Sequence, residues 1–189
     1  MAGVLLDMAI SQDGFVGVPG DADPGLYDWY FDPSEASRPV VDELVATTGA
    51  IVLGRGAYGT GNDSGGWDDT PYQVKHFVVT HRPPSSPPQQ RTIEFVFVQD
   101  GVRAAIELAA EAAGDKYVTV GGGADIARQL LAAGLVDELQ LHVVPVLVGD
   151  GVPLFSTSGA AAQLSNWKKI RVVDAPNVTH LRWQLDRVS

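Results

Sequence analysis

Apolar runs and amphipathic stretches alternate along the first two thirds of the chain. Short apolar runs are typical of buried strands, and apolar residues spaced three or four apart are typical of helices. The pattern predicts strands over residues 4–10, 50–53, 75–80, 93–98 and 117–120, and helices over 34–47, 101–113 and 124–133. Ser34 and Asp100 are the expected N-caps of the first two helices, and Gly114 and Gly134 follow the last two.

The last third of the chain reads differently, because its strands follow one another without a helix between them. They are predicted over 138–147, 167–173 and 178–185. Strands that alternate with helices pair in parallel, whereas strands joined directly pair antiparallel. We therefore expect one α/β domain over residues 1–189, with a mixed sheet that is mainly parallel, has an antiparallel C-terminal edge and is flanked by helices.

Three consecutive glycines, Gly121, Gly122 and Gly123, connect a predicted strand to a predicted helix. Bare backbone before a helix N-terminus offers unpaired N–H groups and the positive end of the helix dipole to an anion. A phosphate-bearing cofactor suits this junction, and a tight turn without a ligand explains it equally well. A Rossmann fingerprint would need a glycine at Ile126, so that type of site is not expected.

The composition excludes several classes of partner. With 13 basic and 23 acidic residues the net charge is −10, which repels nucleic acid and anionic membranes. The absence of cysteine excludes disulfides and thiolate metal sites, and His76, His142 and His180 lack partners at ligand spacing, so no metal is expected. The first residues lack a basic leader and Asp7 interrupts their apolar run, so we expect no signal peptide and a cytoplasmic location.

Four polar segments follow predicted strands, where ligands of open α/β sheets collect. They cover residues 11–17, 54–58, 80–83 and 121–123. Arg55 and Arg82 lie in two of these segments, and the donor fork of an arginine suits phosphate. Either arginine could instead be a solvated surface side chain.

Five stretches in the same order resemble the dihydrofolate-reductase-like superfamily, in particular the branch with the reductase domain of the bifunctional riboflavin-biosynthesis deaminase/reductase. They cover residues 9–17, 52–58, 120–125, 134–139 and 145–155, nearly the whole chain. The resemblance implies a dihydrofolate-reductase-like fold and a homodimer. It also implies an NADPH-dependent oxidoreductase that transfers hydride to a C=N or C=O bond of a small pyrimidine- or pterin-like heterocycle.

The resemblance further implies which residues hold NADPH, and it places a cis peptide bond between Gly121 and Gly122. Arg82 would contact the 2′-phosphate and so favour NADPH over NADH. The implied cofactor residues, from the nicotinamide end through the phosphates to the glycines and the following helix, are Ala9, Ile10, Val16, Gly17, Gly54, Arg55, Gly56, Ala57, Thr80, His81, Arg82, Gly121, Gly122, Gly123, Ala124 and Asp125.

Asp7 is the candidate catalytic residue. A carboxylate within the apolar run of residues 4–10 is costly to bury without a partner. Facing the substrate in the cleft, it would be a candidate proton donor. On a partly solvated face, or paired with an arginine such as Arg38, it would have only a structural role.

The substrate side departs from the family pattern. The acid of a folate reductase falls near Arg38 here, with Asp42 one turn later, so folate reduction is not favoured. The riboflavin-pathway reductase has a lysine where Asp7 stands, which argues against a phosphorylated substrate. The candidate substrate residues are Asp7, Trp29, Phe31, Arg38 and Trp67, although the aromatic ones could simply anchor loops. The alternatives to an enzyme are a non-catalytic NADPH-binding or sensor protein and an assembly module.

Overall fold

The computed structural model describes residues 2–18, 24–59, 70–85, 93–155 and 166–186. Its helices are α1 Asp28–Phe31, α2 Arg38–Thr47, α3 Arg55–Tyr58, α4 Gly101–Ala113 and α5 Ala124–Ala132. Its strands are β1 Val4–Ser11, β2 Phe15–Gly17, β3 Thr48–Gly54, β4 Lys75–Val79, β5 Phe95–Val98, β6 Tyr117–Val120, β7 Glu138–Val144, β8 Val152–Pro153, β9 Trp167–Ala175 and β10 Val178–Leu185.

Eight of these strands form one mixed sheet in the order β5-β4-β3-β6-β1-β7-β10-β9. The six strands from β5 to β7 pair in parallel, and β10 and β9 add antiparallel pairs at the C-terminal edge. This confirms the predicted α/β fold class and mixed sheet. Strands β2 and β8 pair antiparallel in a separate ladder.

Period-two alternation gives the two faces of β1 different surroundings. Leu6, Met8 and Ile10 belong to the main hydrophobic core, which also contains the buried faces of α4 and α5. Asp7 and Ala9 point to the other face of the sheet, which α1 and α2 cover. The cavity described below is lined by residues of both faces.

The second face is polar where β1, β7, β10 and β9 lie side by side. The register aligns Asp7 with Gln140, and Gln140 with Arg182. The Glu43 carboxylate of α2 pairs with Arg182 at 2.5 Å, and Arg182 also pairs with Glu138 at 2.6 Å. Helix α2 is therefore bound to the sheet by ion pairs as well as by its apolar side chains.

Helix α2 begins at Arg38, four residues later than predicted. The Ser34 hydroxyl accepts the Ser37 N–H at 3.2 Å, and this hydroxyl-capped turn holds residues 34–37 ahead of the helix. Pro39 lies in the first helical turn, where its missing N–H costs nothing. In the part of the chain that the structure describes, no helix is long and apolar enough to span a membrane.

Candidate functional site

A large cavity opens where the central strand β6 ends. Leu6 of β1 and Val52 of β3 both pair with Val120, the last residue of β6, and both strands continue past it. The resulting gap lies at the carboxyl ends of parallel strands, where ligands of open α/β sheets bind. The cavity volume is about 1900 Å³, more than the roughly 1000 Å³ at the upper end of single small-molecule pockets.

Residues 121–123, the glycine turn, line this cavity and are tied to β3. The Gly121 N–H donates to the Val52 carbonyl, and the Gly54 N–H donates to the Gly122 carbonyl, each at 3.2 Å. The expected cis bond between Gly121 and Gly122 is wrong, since the described residues contain no cis peptide. The trans turn already satisfies these backbone groups by continuing the β3 pairing.

Glycine is required at two positions of the turn for different reasons. A Cβ on Gly122 would lie only 2.6 Å from the Ala57 Cβ, so the turn and α3 approach too closely for a side chain. Gly123 has a φ of 93°, a conformation that side-chain-bearing residues rarely adopt. The turn is therefore built for close approach of backbone to backbone.

One end of the cavity fits an anionic group. The buried Nη1 atom of Arg55 has no hydrogen-bond partner among the described residues, while its guanidinium lies 5.3 Å from the centre of the Tyr58 ring. Among the described residues, nothing lies within 4 Å of where a Cβ would stand on Gly56 or Gly121, so a ligand can approach bare backbone there. No described side chain caps the N-terminus of α5, whose N–H groups face the same turn. These groups suit a pyrophosphate.

Most of the sequence-predicted cofactor residues line this one cavity. Ile10 does not: strand alternation turns its side chain into the core on the opposite face. The predicted cofactor residues in the wall are Ala9, Val16, Gly17, Gly54, Arg55, Gly56, Ala57, Thr80, His81, Arg82, Gly121, Gly122, Gly123, Ala124 and Asp125.

The loop that carries Val16 and Gly17 is fastened by Asp13. Its carboxylate accepts the Gly149 N–H at 2.7 Å and the Ser11 hydroxyl at 2.5 Å. Hydrogen bonds, first of all the one from Ser11, lower the Asp13 pKa to about 2. The carboxylate is therefore ionised at neutral pH and holds the loop beside the cavity.

Asp7 lies in the cavity wall with two hydrogen bonds to the same oxygen. Gln140 Nε2 donates to Oδ1 at 3.0 Å, and His142 Nε2 lies 2.8 Å from it. Among the described residues nothing bonds to Oδ2, and 15% of the side chain is exposed. Asp7 is thus partnered by His142 and Gln140 rather than by Arg38, and it keeps one oxygen for a ligand.

Aromatic side chains from α1 surround the Asp7 end of the cavity. Trp29 packs on the His142 ring with centroids 4.1 Å apart, and its indole N–H donates to the Leu26 carbonyl at 2.9 Å. Phe31 is 82% exposed and lines the cavity with Tyr30. A flat ring could pack against this wall.

Of the other predicted substrate residues, Arg38 does not join them. Arg38 lies outside the cavity wall: its side chain is exposed and donates to the Pro33 carbonyl at 3.3 Å, because it begins α2 on the solvent side. Asp42, one turn later, does line the cavity. Trp67 lies outside the described residues.

The tyrosines near Asp7 stay protonated at neutral pH. Burial, and the charge of Asp7 in addition, raise the pKa of the Tyr30 and Tyr72 hydroxyls. The two rings stack with centroids 6.3 Å apart. This end of the cavity therefore combines a carboxyl group with neutral aromatic walls.

Sequence reasoning missed the polar residues behind Asp7. Gln140 and His142 lie two residues apart in β7, and His180 and Arg182 lie two residues apart in β10. Polar residues two apart on a buried strand share one face, and this was the signal that could have found them. Within the described ranges, no three metal-ligating side chains cluster as a metal site would need.

Comparison with known proteins gives a consistent picture. The family model described as RibD C-terminal domain matches residues 2–181. An uncharacterised protein of Bacillus subtilis strain 168, YwjB, is 26% identical over 169 residues, which is 89% of this chain and 87% of that protein.

Solved structures share the fold at low identity. The Thermotoga maritima diaminohydroxyphosphoribosylaminopyrimidine deaminase/5-amino-6-(5-phosphoribosylamino)uracil reductase superposes with a TM-score of 0.65 at 14% identity, over 98% of this chain and 57% of that one. The Enterococcus faecalis dihydrofolate reductase, solved as a complex with NADP(H), superposes with a TM-score of 0.58 at 18% identity, over 97% and 96%. The fold is therefore dihydrofolate-reductase-like.

Proposed function

Because the chain belongs to the RibD C-terminal domain family, we propose that it is an NADPH-dependent reductase. It would transfer hydride to a C=N or C=O bond of a small pyrimidine- or pterin-like heterocycle. The observation that carries the proposal is the convergence of an anion-binding end and an acidic, aromatic end in one cavity. Holding donor and acceptor side by side is the main task of an enzyme that uses a hydride-carrying cofactor.

The cofactor end is assigned from the unsatisfied groups around the glycine turn. Arg55, whose buried Nη1 has no partner in the described part of the chain, and the open backbone at Gly56 and Gly121 would hold the phosphates. Thr80 and Arg82 form a turn, in which the Thr80 hydroxyl accepts the Arg82 N–H at 3.1 Å, and Arg82 would contact the 2′-phosphate. When bound, the reduced nicotinamide would supply a hydride.

Asp7 would supply the proton that accompanies the hydride. Its Oδ2 takes no bond within the described part of the chain, and the carboxyl lines the cavity. A positioned carboxylic acid that protonates the substrate atom next to the reduced carbon typically contributes about 100- to 10,000-fold in rate.

The charge at this end favours an unphosphorylated substrate. Asp7 and Asp42 both line the cavity, and the tyrosines beside Asp7 are neutral. A phosphate placed next to Asp7 would be repelled, whereas a neutral or cationic flat ring would not. The Thermotoga relative, by contrast, is named for a phosphoribosyl substrate.

Titration with NADPH tests the proposal. We expect NADPH to raise the melting temperature and to quench tryptophan fluorescence, since Trp29 borders the cavity. A screen of unphosphorylated pterins and pyrimidines, and of quinones, would then follow the loss of NADPH absorbance. No thermal shift and no quenching at millimolar NADPH would contradict the proposal, and binding without oxidation would favour the sensor alternative.

A further inference from the structure

A chain of buried polar groups runs from the start of α2 to Asp7. His142 Nε2 lies 2.8 Å from Asp7 Oδ1, and the Nδ1 atoms of His142 and His180 are 2.6 Å apart. His180 Nε2 lies 3.0 Å from the Ser37 hydroxyl, which is 3.2 Å from that of Ser34. Both histidines and Ser37 are at most 2% exposed. Groups this deeply buried must be satisfied by one another.

The ionised form of Asp7 fixes where every proton of the chain lies. A carboxylate oxygen only accepts, so His142 Nε2 carries a hydrogen and, in the neutral ring, Nδ1 accepts. His180 Nδ1 must then be the donor, and its Nε2 accepts from the Ser37 hydroxyl. Burial, followed by the neighbouring His142 ring, lowers the pKa of His180 to about 4, so the His180 ring is neutral at pH 7.

A second chain of hydrogen bonds, whose outer members Arg171 and Glu43 are partly exposed, brings another donor to the same oxygen. Arg171 Nη2 donates to Gln140 Oε1 at 2.9 Å, which leaves the Gln140 amide NH₂ to face Asp7 Oδ1 at 3.0 Å. Arg171 is itself paired with Glu43 of α2. The orientation of the Gln140 amide is thus fixed by a group that can only donate.

We propose that these two chains make Asp7 a one-sided acid, in which Oδ1 is a permanent acceptor and the transferable proton is carried on Oδ2. If Oδ1 carried the proton, it would donate to His142 Nε2. Each hydrogen bond from there through His180 to Ser37 would then have to change its donor into its acceptor. His142, His180 and Gln140 are then positioning residues for the proton transfer, a role that rests on the proposed function of Asp7.

The proton balance of the step is simple. A bound reduced nicotinamide would supply the hydride; in the step of the protein itself, the Oδ2–H bond of Asp7 would break and a new O–H or N–H bond would form on the substrate. The charge left on Asp7 is stabilised by the two N–H groups already at Oδ1. After product release, hydronium or buffer acid from the solvent that enters the cleft returns a proton to Oδ2, which balances the step.

The first test uses the free protein and needs no cofactor or substrate. Nitrogen-15 NMR of labelled histidine at pH 7 reads which ring nitrogens carry hydrogen, with His142→Asn and His180→Asn variants assigning the signals. We expect His142 with a hydrogen on Nε2 only and His180 with one on Nδ1 only. A doubly protonated His142, or the reverse pair of tautomers, would overturn the inference.

The second test separates positioning from mere support of the fold. His180→Asn keeps a donor near the Nδ1 position, whereas His180→Leu removes it. With the substrate found by the screen, His180→Leu should lower kcat about 10- to 100-fold, with the KM and the NADPH Kd unchanged within about two-fold. The high-pH limb of its pH profile, where a proton donor loses its proton, should also move, while His180→Asn should stay within about three-fold of the wild type.

Several titratable and charged groups surround Asp7 and its two hydrogen-bond chains and could affect this pH profile. They are His142, His180, Arg171, Glu43, Tyr27, Tyr30 and Tyr72. Equal kcat and equal pH profiles for both variants and the wild type would overturn the inference while leaving the reductase activity intact. If the wild-type protein binds NADPH but never oxidises it, the proposed reductase function is wrong. The positioning role of the two hydrogen-bond chains then fails with it. The tautomers remain measurable if a variant fails to fold.

Discussion

Both hydrogen bonds of Asp7 are made by one oxygen, Oδ1. A conservative substitution can therefore keep these bonds while removing the acidic proton. An asparagine there can keep Oδ1 as acceptor for Gln140 and His142 while replacing the free Oδ2 by an NH₂ group that has no acidic proton. We expect Asp7→Asn to lower kcat about 100- to 10,000-fold and to leave the NADPH Kd within about three-fold. Steady-state kinetics and a fluorescence titration measure the two values, and an equal loss in both would contradict the assignment of Asp7 as proton donor.

Arg82 offers a residue-scale test of cofactor choice. Its exposed side chain borders the cavity beside Thr80, where it could reach a 2′-phosphate. A charge-assisted bond to phosphate is worth about 1.5 to 3 kcal/mol, so Arg82→Ala should weaken NADPH about 10- to 100-fold. NADH, which lacks the phosphate, should bind as before.

The matched control for Arg82→Ala is Arg103→Ala, on the exposed side of α4 and outside the cavity wall. It removes the same charge from the protein without touching the proposed site. Loss of NADPH affinity in both variants would point to long-range charge, and equal losses for NADPH and NADH in Arg82→Ala would remove the 2′-phosphate assignment.

At the scale of elements, the contact between the glycine turn and α3 separates stability from binding. Gly122→Ala would place its Cβ 2.6 Å from the Ala57 Cβ and force the two elements apart. Such overpacking typically costs about 1 to 3 kcal/mol. We expect a lower free energy of unfolding in urea, with partial recovery in the Gly122→Ala/Ala57→Gly double variant.

Gly121→Ala is the counterpart that probes the cavity rather than the fold. A Cβ on Gly121 meets nothing within 4 Å, and the residue lines the cavity. The free energy of unfolding should therefore stay within about 0.5 kcal/mol of the wild type, while the methyl group obstructs the cofactor and weakens NADPH. If Gly121→Ala destabilises the protein as much as Gly122→Ala, this account of the turn is wrong.

The elements that sequence could predict are those whose signal is local. Strand β6, helix α4 and the junction at the glycine turn follow from apolar runs, spacing and glycines, and the structure has them at the predicted bounds or within a residue. The start of α2 was missed because Ser34 and Ser37 form a hydroxyl-capped turn that resembles an N-cap in the sequence. The four-residue helix α1 is too short for any periodicity.

The spacing of Gln140 and His142 indicates a shared face, but their contact with Asp7 could not be predicted because it depends on strand register. Gln140 and His142 reach Asp7 only because β7 lies next to β1, although 133 and 135 residues separate them along the chain. His180 joins them through the antiparallel pairing of β10 with β7. The cofactor side was easier to predict, since its glycines and arginines lie in contiguous motifs at strand ends.

At the scale of the whole molecule, a partly buried polar layer joins α2 to the C-terminal strands. Glu43 of α2 pairs with Arg171 of β9 and Arg182 of β10, and Ser37, just before α2, bonds to His180 of β10. Opening the layer would leave its buried members, Arg182, His180 and Ser37, without these partners, which makes it costly. The same layer supports Asp7, so the stability of the fold and the geometry of the site share a common set of residues.

This layer also predicts how stability depends on pH. The pKa of His180 is lowered to about 4 by burial and by His142, and burial lowers the pKa of His76 as well, from an ordinary value of about 6.5. Between pH 4 and 6.5, His180 is protonated in more of the unfolded molecules than of the native ones, so acid favours unfolding. The contribution of His180 to the free energy of unfolding is therefore fully present above about pH 6.5 and is lost as the pH falls toward 4.

Urea unfolding at pH 7.5, 5.5 and 4.5 measures this loss. We expect the free energy of unfolding to fall by about 2 to 3 kcal/mol over the range through His180, with a smaller fall in His180→Asn, whose amide does not titrate. Asp13, with a pKa of about 2, stays ionised throughout and does not contribute. A free energy that is flat or rises toward pH 4.5 would show that His180 is not held neutral in the native protein, and the proton arrangement behind Asp7 would fail with it.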